Sequence, residues 1–426
     1  MKTLQNSFEF ARQLDAEDPL GKFRDQFHQP SKDGKDRIYF LGNSLGLQPK
    51  STTYFIEKIL HQWEEDGVES FFATDEPWLN YHDKVIQPLS DIVGAYPHEI
   101  SIMNQLTVNI HLMLVSFYRP QGERKKILVE TKAFPSDQYA LKSYIKHLGL
   151  NPDEVIIEIK SKNDREHLLH EEILELIEKY KDELSLVFLS GVQYYTGQLF
   201  DMKEITLAAK RSGAMVGFDL AHAVGNVRLE LNKWGVDFAC WCSYKYLNGG
   251  PGAVGGVFVH ETHHGNVMNR LEGWWGVKMD ERFLMKDDFI PENNASSWQL
   301  STPPILLIAC LNASLEIFKE AGWNNILAKQ ERMIQWTDFL LREINQDFFK
   351  RITPEARGCH ISLLFKNDGK EVYKRLFENG FMIDWREPNV IRFAPVPLYN
   401  SFSEIWKFIQ CLKDVVDEVS LSNQRR

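Results

Sequence analysis

The sequence predicts an α/β protein in which a large domain, built on a mainly parallel sheet flanked by helices, is followed by a smaller α+β C-terminal domain. Short apolar segments rich in Val, Ile and Phe alternate with longer helical segments from about residue 100 onward. This alternation is typical of parallel strands that are covered by helices on both faces. After Pro304 the pattern changes to two long helices and then to short strands, which indicates a separate C-terminal unit.

The sequence pattern predicts three parts: an N-terminal segment (1–50), a large domain (51–302) and a small C-terminal domain (303–426). The first part is mostly polar and contains one short strand at 37–41, and an amphipathic helix follows at 49–66. Hydrophobic periodicity predicts the later elements in order. Strands are predicted at 100–103, 126–130, 155–159, 184–189, 214–218, 238–242, 256–259, 360–365 and 390–394. Helices are predicted at 107–117, 136–148 and 202–212, with two longer helices after Pro304.

Composition limits the classes of function. The formal net charge of −10 argues against nucleic acid or an anionic membrane as the main partner. The N-terminus has no apolar signal-like region, and the longest apolar run, at 305–311, is too short to span a bilayer. Five cysteines without disulfide-like spacing predict a reduced, cytoplasmic protein.

Lys245 and Asp219 are the residues that predict the chemistry. Asp219 follows the strand at 214–218, and ligands of open α/β sheets bind at the carboxyl ends of strands. Lys245 lies in the glycine-rich turn after the next strand. A lysine amine can form a Schiff base with an aldehyde, and a buried carboxylate can keep a pyridine ring protonated. Each residue alone is better explained as a cap or a turn residue, but the pair predicts a pyridoxal-phosphate site.

Thr107 and Phe134 fit the same site. We expect Thr107 to cap the helix at 107–117, whose free N–H groups can then receive a phosphate. Phe134 follows the strand at 126–130 and can stack on a planar ring. An ordinary N-cap and an ordinary strand-end turn are the alternatives for these two residues.

Three motif matches are explained better by structure than by function. The segment 250–255 has the G-x-G-x-x-G pattern of a dinucleotide site, but it opens the strand at 256–259 instead of a helix. The segment 260–264 has the H-E-x-x-H pattern of a zinc site, but it follows a strand end, so we expect a turn and no metal. Cys240 and Cys242 share one face of a strand and are predicted to be core residues.

Several segments together resemble the kynureninase family. The similarity runs from about residue 35 to the end of the chain. The segments that carry it are 40–46 (FLGNSLG), 133–137 (AFPSD), 190–198 (SGVQYYTGQ), 219–223 (DLAHA), 242–246 (CSYKY) and 392–402 (RFAPVPLYNSF). The resemblance implies the PLP-dependent fold type I of the aspartate aminotransferase kind and a homodimer with active sites at the subunit interface. It also implies hydrolysis of L-kynurenine to anthranilate and L-alanine, in tryptophan degradation and NAD biosynthesis, with 3-hydroxy-L-kynurenine as an alternative substrate.

By this resemblance, Lys245 forms the Schiff base, Asp219 pairs with the pyridine nitrogen and Phe134 stacks on the ring. The other cofactor-binding positions are Leu106, Thr107, Pro135, Ser136, Asp137, Ser190, His222 and Tyr244. Trp274 and Thr302 match positions that reach the cofactor or substrate from the partner subunit, and Thr302 stands where some family members have Asn. The resemblance assigns substrate contacts to Asn43, Thr302 and Arg392, of which Arg392 suits a carboxylate as a bidentate clamp.

The chemistry of these groups implies an order of events. Lys245, once displaced by the substrate amine, becomes the base that removes the α-proton. Water then adds to the γ-carbonyl, and the Cβ–Cγ bond breaks to release anthranilate before alanine. Tyr244 is the nearest candidate for proton transfer at the carbonyl, and binding of the phosphate alone is its alternative role.

Two other functions are weighed against this one. A cysteine desulfurase of the same fold needs a catalytic cysteine on a mobile loop, and none of the five cysteines is predicted to have that setting. A PLP-sensing regulator without catalytic activity needs a DNA-binding domain with a basic face, and the sequence shows no such pattern. The presence of both Lys245 and Asp219 also favours an enzyme.

Overall fold

The computed structural model describes residues 3–72, 75–162, 165–265, 268–344 and 347–424. The helices in these ranges are α1 (Phe8–Ala16), α2 (Thr52–Asp66), α3 (Asp83–Val93), α4 (Leu106–Phe117), α5 (Pro135–His147), α6 (Pro152–Val155), α7 (His170–Lys179), α8 (Met202–Ser212), α9 (Leu231–Trp234), α10 (Met279–Arg282), α11 (Ile305–Ala321), α12 (Trp323–Leu341), α13 (Gly369–Glu378) and α14 (Phe402–Gln424). The strands are β1 (Ser31–Lys32), β2 (Lys35–Asp36), β3 (Ile38–Tyr39), β4 (Ile100–Ile102), β5 (Lys126–Glu130), β6 (Ile156–Ile159), β7 (Leu184–Ser190), β8 (Met215–Asp219), β9 (Phe238–Trp241), β10 (Gly256–Val259), β11 (Phe349–Arg351), β12 (Ile361–Phe365), β13 (Phe381–Met382), β14 (Asp384–Arg386) and β15 (Val390–Phe393).

A seven-stranded sheet forms the centre of the large domain, with the strand order β4-β10-β9-β8-β7-β5-β6. The strands from β9 to β6 are parallel to their neighbours, whereas β10 is antiparallel to both β9 and β4. Successive residues of β5 belong to different apolar clusters: Leu128 packs in one, and Ile127 and Val129 pack in another. Both faces of the sheet are therefore covered, and the predicted mainly parallel α/β architecture is confirmed.

The C-terminal region contains a second, antiparallel sheet with the strand order β11-β12-β15-β14. Helices α12, α13 and α14 pack with this sheet around a separate apolar cluster that includes Trp336, Leu376 and Phe408. Strands followed and covered by helices in this way form the α+β arrangement that the sequence pattern predicts.

The N-terminal helix packs against the C-terminal unit. Phe10 and Leu14 of α1 belong to the same apolar cluster as α14, and β3 pairs in parallel with β13. Lys329 of α12 forms an almost fully buried ion pair with Asp18, with 2.6 Å between Nζ and Oδ2. Its ammonium also donates to the backbone oxygens of Pro397 and Asn400 at 2.5 and 3.0 Å. The start of the chain is thus attached to the loop that follows β15.

Several predicted strands and helices begin or end at residues other than those predicted. The strand predicted at 37–41 is reduced to β3, and the helix predicted at 49–66 begins at Thr52, after Pro49. Helices α3 and α7 were not predicted from the sequence. No helix in the described ranges combines the length and the apolarity that crossing a membrane requires.

The carboxylate of Asp15 should stabilise the first turn of α14. It accepts the N–H groups of Phe402 and Ser403 at 2.6 and 3.1 Å, which have no acceptor within the helix. We expect Asp15→Ala to lower the free energy of unfolding by about 1 kcal/mol, in the usual range for loss of a helix cap. Thermal or urea denaturation measures the change. The control is Arg12→Ala, at an exposed residue of α1, the helix that carries Asp15. Equal stability of the two variants would contradict this role.

Candidate active site

Two neighbouring strand ends bring Asp219 and Lys245 together. Strand β8 ends at Asp219, which lies in register with Cys240 of the parallel strand β9. Strand β9 ends at Trp241, and the turn after it carries Lys245 over the carboxyl edge of the sheet. Both side chains line one pocket at this edge. The position agrees with the rule that open α/β sheets bind ligands outside the carboxyl ends of their strands.

Asp219 is a buried carboxyl with few neutralising contacts. Its Oδ1 accepts the N–H of Ala221 at 2.7 Å. Burial raises the pKa of Asp219, while the charge of Lys245 and hydrogen bonds from Ala221 and Asp137 oppose that rise. A cationic ring placed against Asp219 would add a further favourable contact for the ionised form.

Asp137 is the hydrogen-bond partner of Asp219. It lies in the first turn of α5 and is almost fully buried. Burial raises the pKa of Asp137 well above its usual range, and the negative charges of Asp219 and Glu130 raise it further. The raised pKa favours the protonated form of Asp137, which can donate a hydrogen bond to the carboxylate of Asp219.

Glu130 is a third buried carboxyl in this pocket, and it was not among the site residues predicted from the sequence. It is the last residue of β5, and its Oε1 accepts the hydroxyl of Ser190 at 2.5 Å. The N–H of Ser190 also points to both carboxylate oxygens, at 3.2 and 3.3 Å. Burial raises the pKa of Glu130 to about 7. The signal in the sequence was an acidic residue directly after the three apolar residues of a strand, Ile127, Leu128 and Val129.

The start of α4 forms another wall of the pocket. Helix α4 begins at Leu106, with Gln105 as its N-cap residue, and both Leu106 and Thr107 line the pocket. The prediction that Thr107 caps this helix is wrong, because Thr107 is already inside the first turn and the extended residue before the helix is Gln105. The first-turn N–H groups still have no acceptor within the helix, so they remain suited to an anion.

Aromatic and polar side chains complete the pocket. The ring of Phe134 meets the ring of Tyr194 edge-on, with 5.1 Å between centroids. The ammonium of Lys245 lies 5.8 Å from the centroid of the Tyr244 ring. Burial raises the pKa of Tyr244 and lowers the pKa of His222 well below its usual range, so the phenol stays protonated and the imidazole stays neutral. The pocket is lined by Gln105, Leu106, Thr107, Glu130, Phe134, Ser136, Asp137, Ser190, Val192, Tyr194, Asp219, Ala221, His222, Tyr244 and Lys245.

Arg392 lies outside the lining of this pocket. Its side chain is almost fully buried in β15, where Nε donates to Asp384 Oδ2 at 2.8 Å and Nη2 contacts the same oxygen. Its Nη1 donates to the backbone oxygen of Tyr194, which is a pocket residue. A guanidinium has five N–H donors, so these bonds leave one N–H on each terminal nitrogen.

The remaining predicted site residues do not line this pocket within the chain. Trp274 and Thr302 are exposed and do not line the pocket, and Trp274 donates its indole N–H to the backbone of Arg282 at 2.9 Å. Pro135 is the first residue of α5, directly after Phe134. Asn43 is buried, and neither atom of its amide has a hydrogen-bond partner among the described residues.

The weaker motif matches have the predicted structural explanations. The segment 250–255 leads into β10, so it opens a strand and lacks the helix of a dinucleotide site. His260 and His264 flank a single 3-10 turn, and their rings contact the backbone oxygens of Asn232 and Val259. They therefore do not lie one helical turn apart on an α-helix, as the zinc motif requires.

The cysteines do not offer an activated nucleophile. Cys240, Cys242 and Cys359 are buried, and Cys310 and Cys411 are half-buried within α11 and α14. Burial raises the pKa of each of these thiols. A reactive thiolate requires the opposite shift.

The pocket fits pyridoxal phosphate on the chemistry of its donor set. Lys245 can meet the aldehyde, the buried carboxylate of Asp219 can meet the pyridine nitrogen, and the aromatic ring of Phe134 can lie against the ring. The first turn of α4 can hold the phosphate. In addition, Asp137 Oδ1 and His222 Nδ1 are buried without a hydrogen-bond partner among the described residues, as expected of groups that surround a polar ligand.

Comparison with known proteins gives a consistent result. Residues 329–412 match the family model described as the kynureninase C-terminal domain. The kynureninase of Flavobacterium johnsoniae is 48% identical over 418 residues, covering 96% of this chain and 98% of its own length. The kynureninase of Myxococcus xanthus is 48% identical (96% and 97% covered), and that of Nematostella vectensis is 44% identical (95% and 93% covered).

Solved structures with the same fold have much lower sequence identity. A C-DES mutant with glycine covalently linked to its PLP cofactor has a TM-score of 0.76 at 19% identity, covering 92% of this chain and 99% of its own. The apo cysteine desulfurase of Thermococcus onnurineus has a TM-score of 0.72 at 17% identity, covering 98% and 100%. At these identities the likeness establishes the fold alone.

Together, the fold, the lysine–carboxylate pocket and these relatives define a pyridoxal-phosphate-dependent enzyme of fold type I. Within that class, the relatives that match over nearly the whole chain decide the family. The chain belongs to the kynureninase family.

The buried thiols should be unreactive in the folded protein. We expect Cys240, Cys242 and Cys359 to resist modification by an aromatic disulfide reagent, because they are buried and their pKa values are raised. In denaturant all five cysteines should react, which serves as the control. Rapid labelling of one of the three buried thiols under native conditions would show that the cysteine-nucleophile alternative still has a candidate.

Proposed function

We propose that this protein hydrolyses L-kynurenine to anthranilate and L-alanine, with pyridoxal phosphate held in the Lys245 pocket. The observation that carries the proposal is the convergence of Lys245, Asp219 and the start of α4 on one pocket, in a chain that belongs to the kynureninase family. When bound, the cofactor supplies an aldehyde that reacts with amines and a protonated ring that accepts electron density from the substrate α-carbon.

Different residues of the pocket hold the pyridine nitrogen, the ring and the phosphate of the cofactor. Asp219 keeps the proton on the pyridine nitrogen, and Asp137 supports it by donating a hydrogen bond to its carboxylate. Phe134 covers the ring, and the first-turn N–H groups at Leu106 and Thr107 bind the phosphate. The other predicted cofactor contacts, from Pro135, Ser136, Ser190, His222 and Tyr244, are part of this proposal.

Proton transfer at the substrate is assigned to Lys245 and Tyr244. The amine of Lys245 removes the proton from the substrate α-carbon, because it is the amine that the substrate displaces. The phenol of Tyr244 donates toward the γ-carbonyl oxygen as water adds there, because its raised pKa keeps it protonated. The neutral His222 remains a hydrogen-bonding group and adds no positive charge to the pocket.

Arg392 is proposed to bind the substrate carboxylate with the N–H groups that Asp384 and Tyr194 leave free. The pair with Asp384 holds the guanidinium in one orientation before substrate arrives. A pre-oriented fork loses less conformational entropy on binding than a free side chain does. Asn43, whose buried amide has no hydrogen-bond partner among the described residues, is the second proposed substrate contact.

A homodimer with active sites at the subunit interface is proposed from the exposed apolar surface around Trp274. The rings of Phe72 and Trp274 each lie 5.6 Å from the ring of Phe283. Leu284 and Met285 continue this surface and are 61% and 68% exposed. An apolar surface of this kind usually marks a protein interface. In the proposed dimer, the partner's Trp274 and Thr302 lie near the Lys245 pocket. The free cysteines of the chain also suit the reducing cytoplasm, which is the proposed compartment.

The function is tested by spectroscopy and product formation. Purified protein reconstituted with pyridoxal phosphate should show visible absorbance from the bound cofactor. On addition of L-kynurenine, anthranilate fluorescence should rise, and alanine should form in equal amount. A protein that binds the cofactor but forms no anthranilate would refute the proposed substrate.

The variant Lys245→Ala should fold normally but have no turnover, because the imine-forming amine and the base are lost together. Circular dichroism checks the fold, and visible absorbance and anthranilate release check the site. The control is Lys203→Ala, at an exposed lysine of α8, which should leave both signals unchanged. A persistent lysine-linked cofactor band in Lys245→Ala would assign the imine to another residue.

Subunit complementation should reveal whether Trp274 acts across an interface. Lys245→Ala and Trp274→Ala should each be impaired as homodimers, whereas the mixed dimer should contain one native site. Random mixing should therefore recover about a quarter of the native activity, because half of the dimers are mixed and each has one intact site of two. Mixing Lys245→Ala with Asp219→Ala is the matched control and should recover none, because both residues belong to the same chain's pocket. No recovery with Trp274→Ala would place Trp274 outside the neighbouring site.

A further inference from the structure

Glu130 is the pocket carboxyl to which the proposed mechanism gives no role. It is 3% exposed, it ends β5, and its contacts converge on Ser190 of β7. It also lines a second pocket on its other side, which Gln193 and Thr196 border. Burying an ionised carboxyl is costly unless it is protonated, hydrogen-bonded or paired with an opposite charge.

We propose that Glu130 is a positioning residue that sets the direction of the Ser190 hydroxyl, and through it the hydrogen bond that Ser190 offers to the bound cofactor. The inference rests on the proposed function only in taking this pocket as the cofactor site. Ser190 lines the pocket and is half-buried, so its hydroxyl oxygen can contact a ligand on one side and Glu130 on the other.

The argument follows from the single proton of the serine hydroxyl. When Glu130 is ionised, it accepts both the hydroxyl and the N–H of Ser190, so Ser190 can offer only lone pairs to the pocket. When Glu130 is protonated, it can donate to Ser190 Oγ, and the serine proton is then free to point into the pocket. One protonation event thus converts Ser190 from an acceptor to a donor without movement of the backbone.

The surroundings of Glu130 place this event near neutral pH. Burial is the largest cause of its raised pKa of about 7, the charge of Asp219 adds to it, and the hydrogen bonds of Ser190 oppose it. On the cofactor side, the charged or titratable groups lining its pocket are Asp137, Tyr194, Asp219, His222, Tyr244 and Lys245. In the second pocket the corresponding groups are Lys132, Lys160, Arg165, Glu166, His167 and Tyr195.

The first test is a pH titration of the visible absorbance of the holoenzyme. We expect a spectral step near pH 7 in the unaltered protein. In Glu130→Gln this step should be lost, and the spectrum at every pH should resemble the acidic form, because the amide can donate to Ser190 Oγ and accept from its N–H. Ser190→Ala should also lose the step, and adding Glu130→Gln to Ser190→Ala should cause no further change. Glu158→Gln, at an exposed glutamate of the neighbouring strand β6, is the matched control and should keep the step.

The second test uses the apoprotein and does not depend on the cofactor. A carboxyl whose pKa is raised by folding stabilises the folded state while protonated, and this contribution is lost as pH rises from the usual value of 4.5 to about 7. The Tm of Glu130→Gln relative to the unaltered protein should therefore be constant below this range, increase across it and level off above it. Glu158→Gln should show no such increase.

The two tests separate this inference from the proposed function. Failure to form anthranilate would refute the function, and the apoprotein profile would still report on Glu130. A spectral step that survives in Glu130→Gln, or an additional effect of Glu130→Gln in the absence of the Ser190 hydroxyl, would overturn the inference. An unchanged difference in Tm across the whole pH range would overturn it as well, because Glu130 would then be ionised like an ordinary carboxylate.

Discussion

The active-site pocket depends on the balance of buried charge around Lys245. Asp219, Asp137 and Glu130 are all buried at the same edge of the sheet. Three ionised carboxylates could not be buried together beside one ammonium group without a large desolvation cost. The pKa values of Asp137 and Glu130 are both raised, which favours the protonated form of Asp137 and makes Glu130 titrate near pH 7, and this lowers the cost. The carboxylate of Asp219 can then pair with the positive charge of a bound pyridine ring.

The small domain is connected to the pocket through Arg392. Its guanidinium donates to the backbone of Tyr194, and the ring of Tyr194 in turn meets the ring of Phe134. Asp384 holds Arg392 on the neighbouring strand, with the two residues directly in register. A single buried arginine therefore fixes both the proposed carboxylate contact and the aromatic ring that is proposed to cover the cofactor. Displacement of the small domain would disturb both at once.

Local patterns in the sequence were sufficient to predict much of the fold. Strands β5 and β10 and helix α8 have the predicted boundaries, because alternation and helical periodicity are properties of adjacent residues. The pairing of Lys245 with Asp219 could also be predicted, because both follow consecutive parallel strands. Glu130 could not, since its significance comes from Ser190, a residue sixty positions away on the adjacent strand. The capping error at Thr107 has a local cause: the pattern did not distinguish the first turn from the residue before it.

The attachment of α1 to α14 has a consequence for how the chain folds during synthesis. Helix α1 is synthesised long before most of the apolar cluster that receives Phe10 and Leu14, because that cluster, apart from α1 itself and Phe40, is built from residues of the last third of the chain. A nine-residue helix is only marginally stable by itself in water. The ribosome must therefore synthesise nearly the whole polypeptide before α1 can dock against this cluster. Until then the apolar face of α1 stays exposed. During synthesis, α1 is therefore a segment that a chaperone would have a long time to bind.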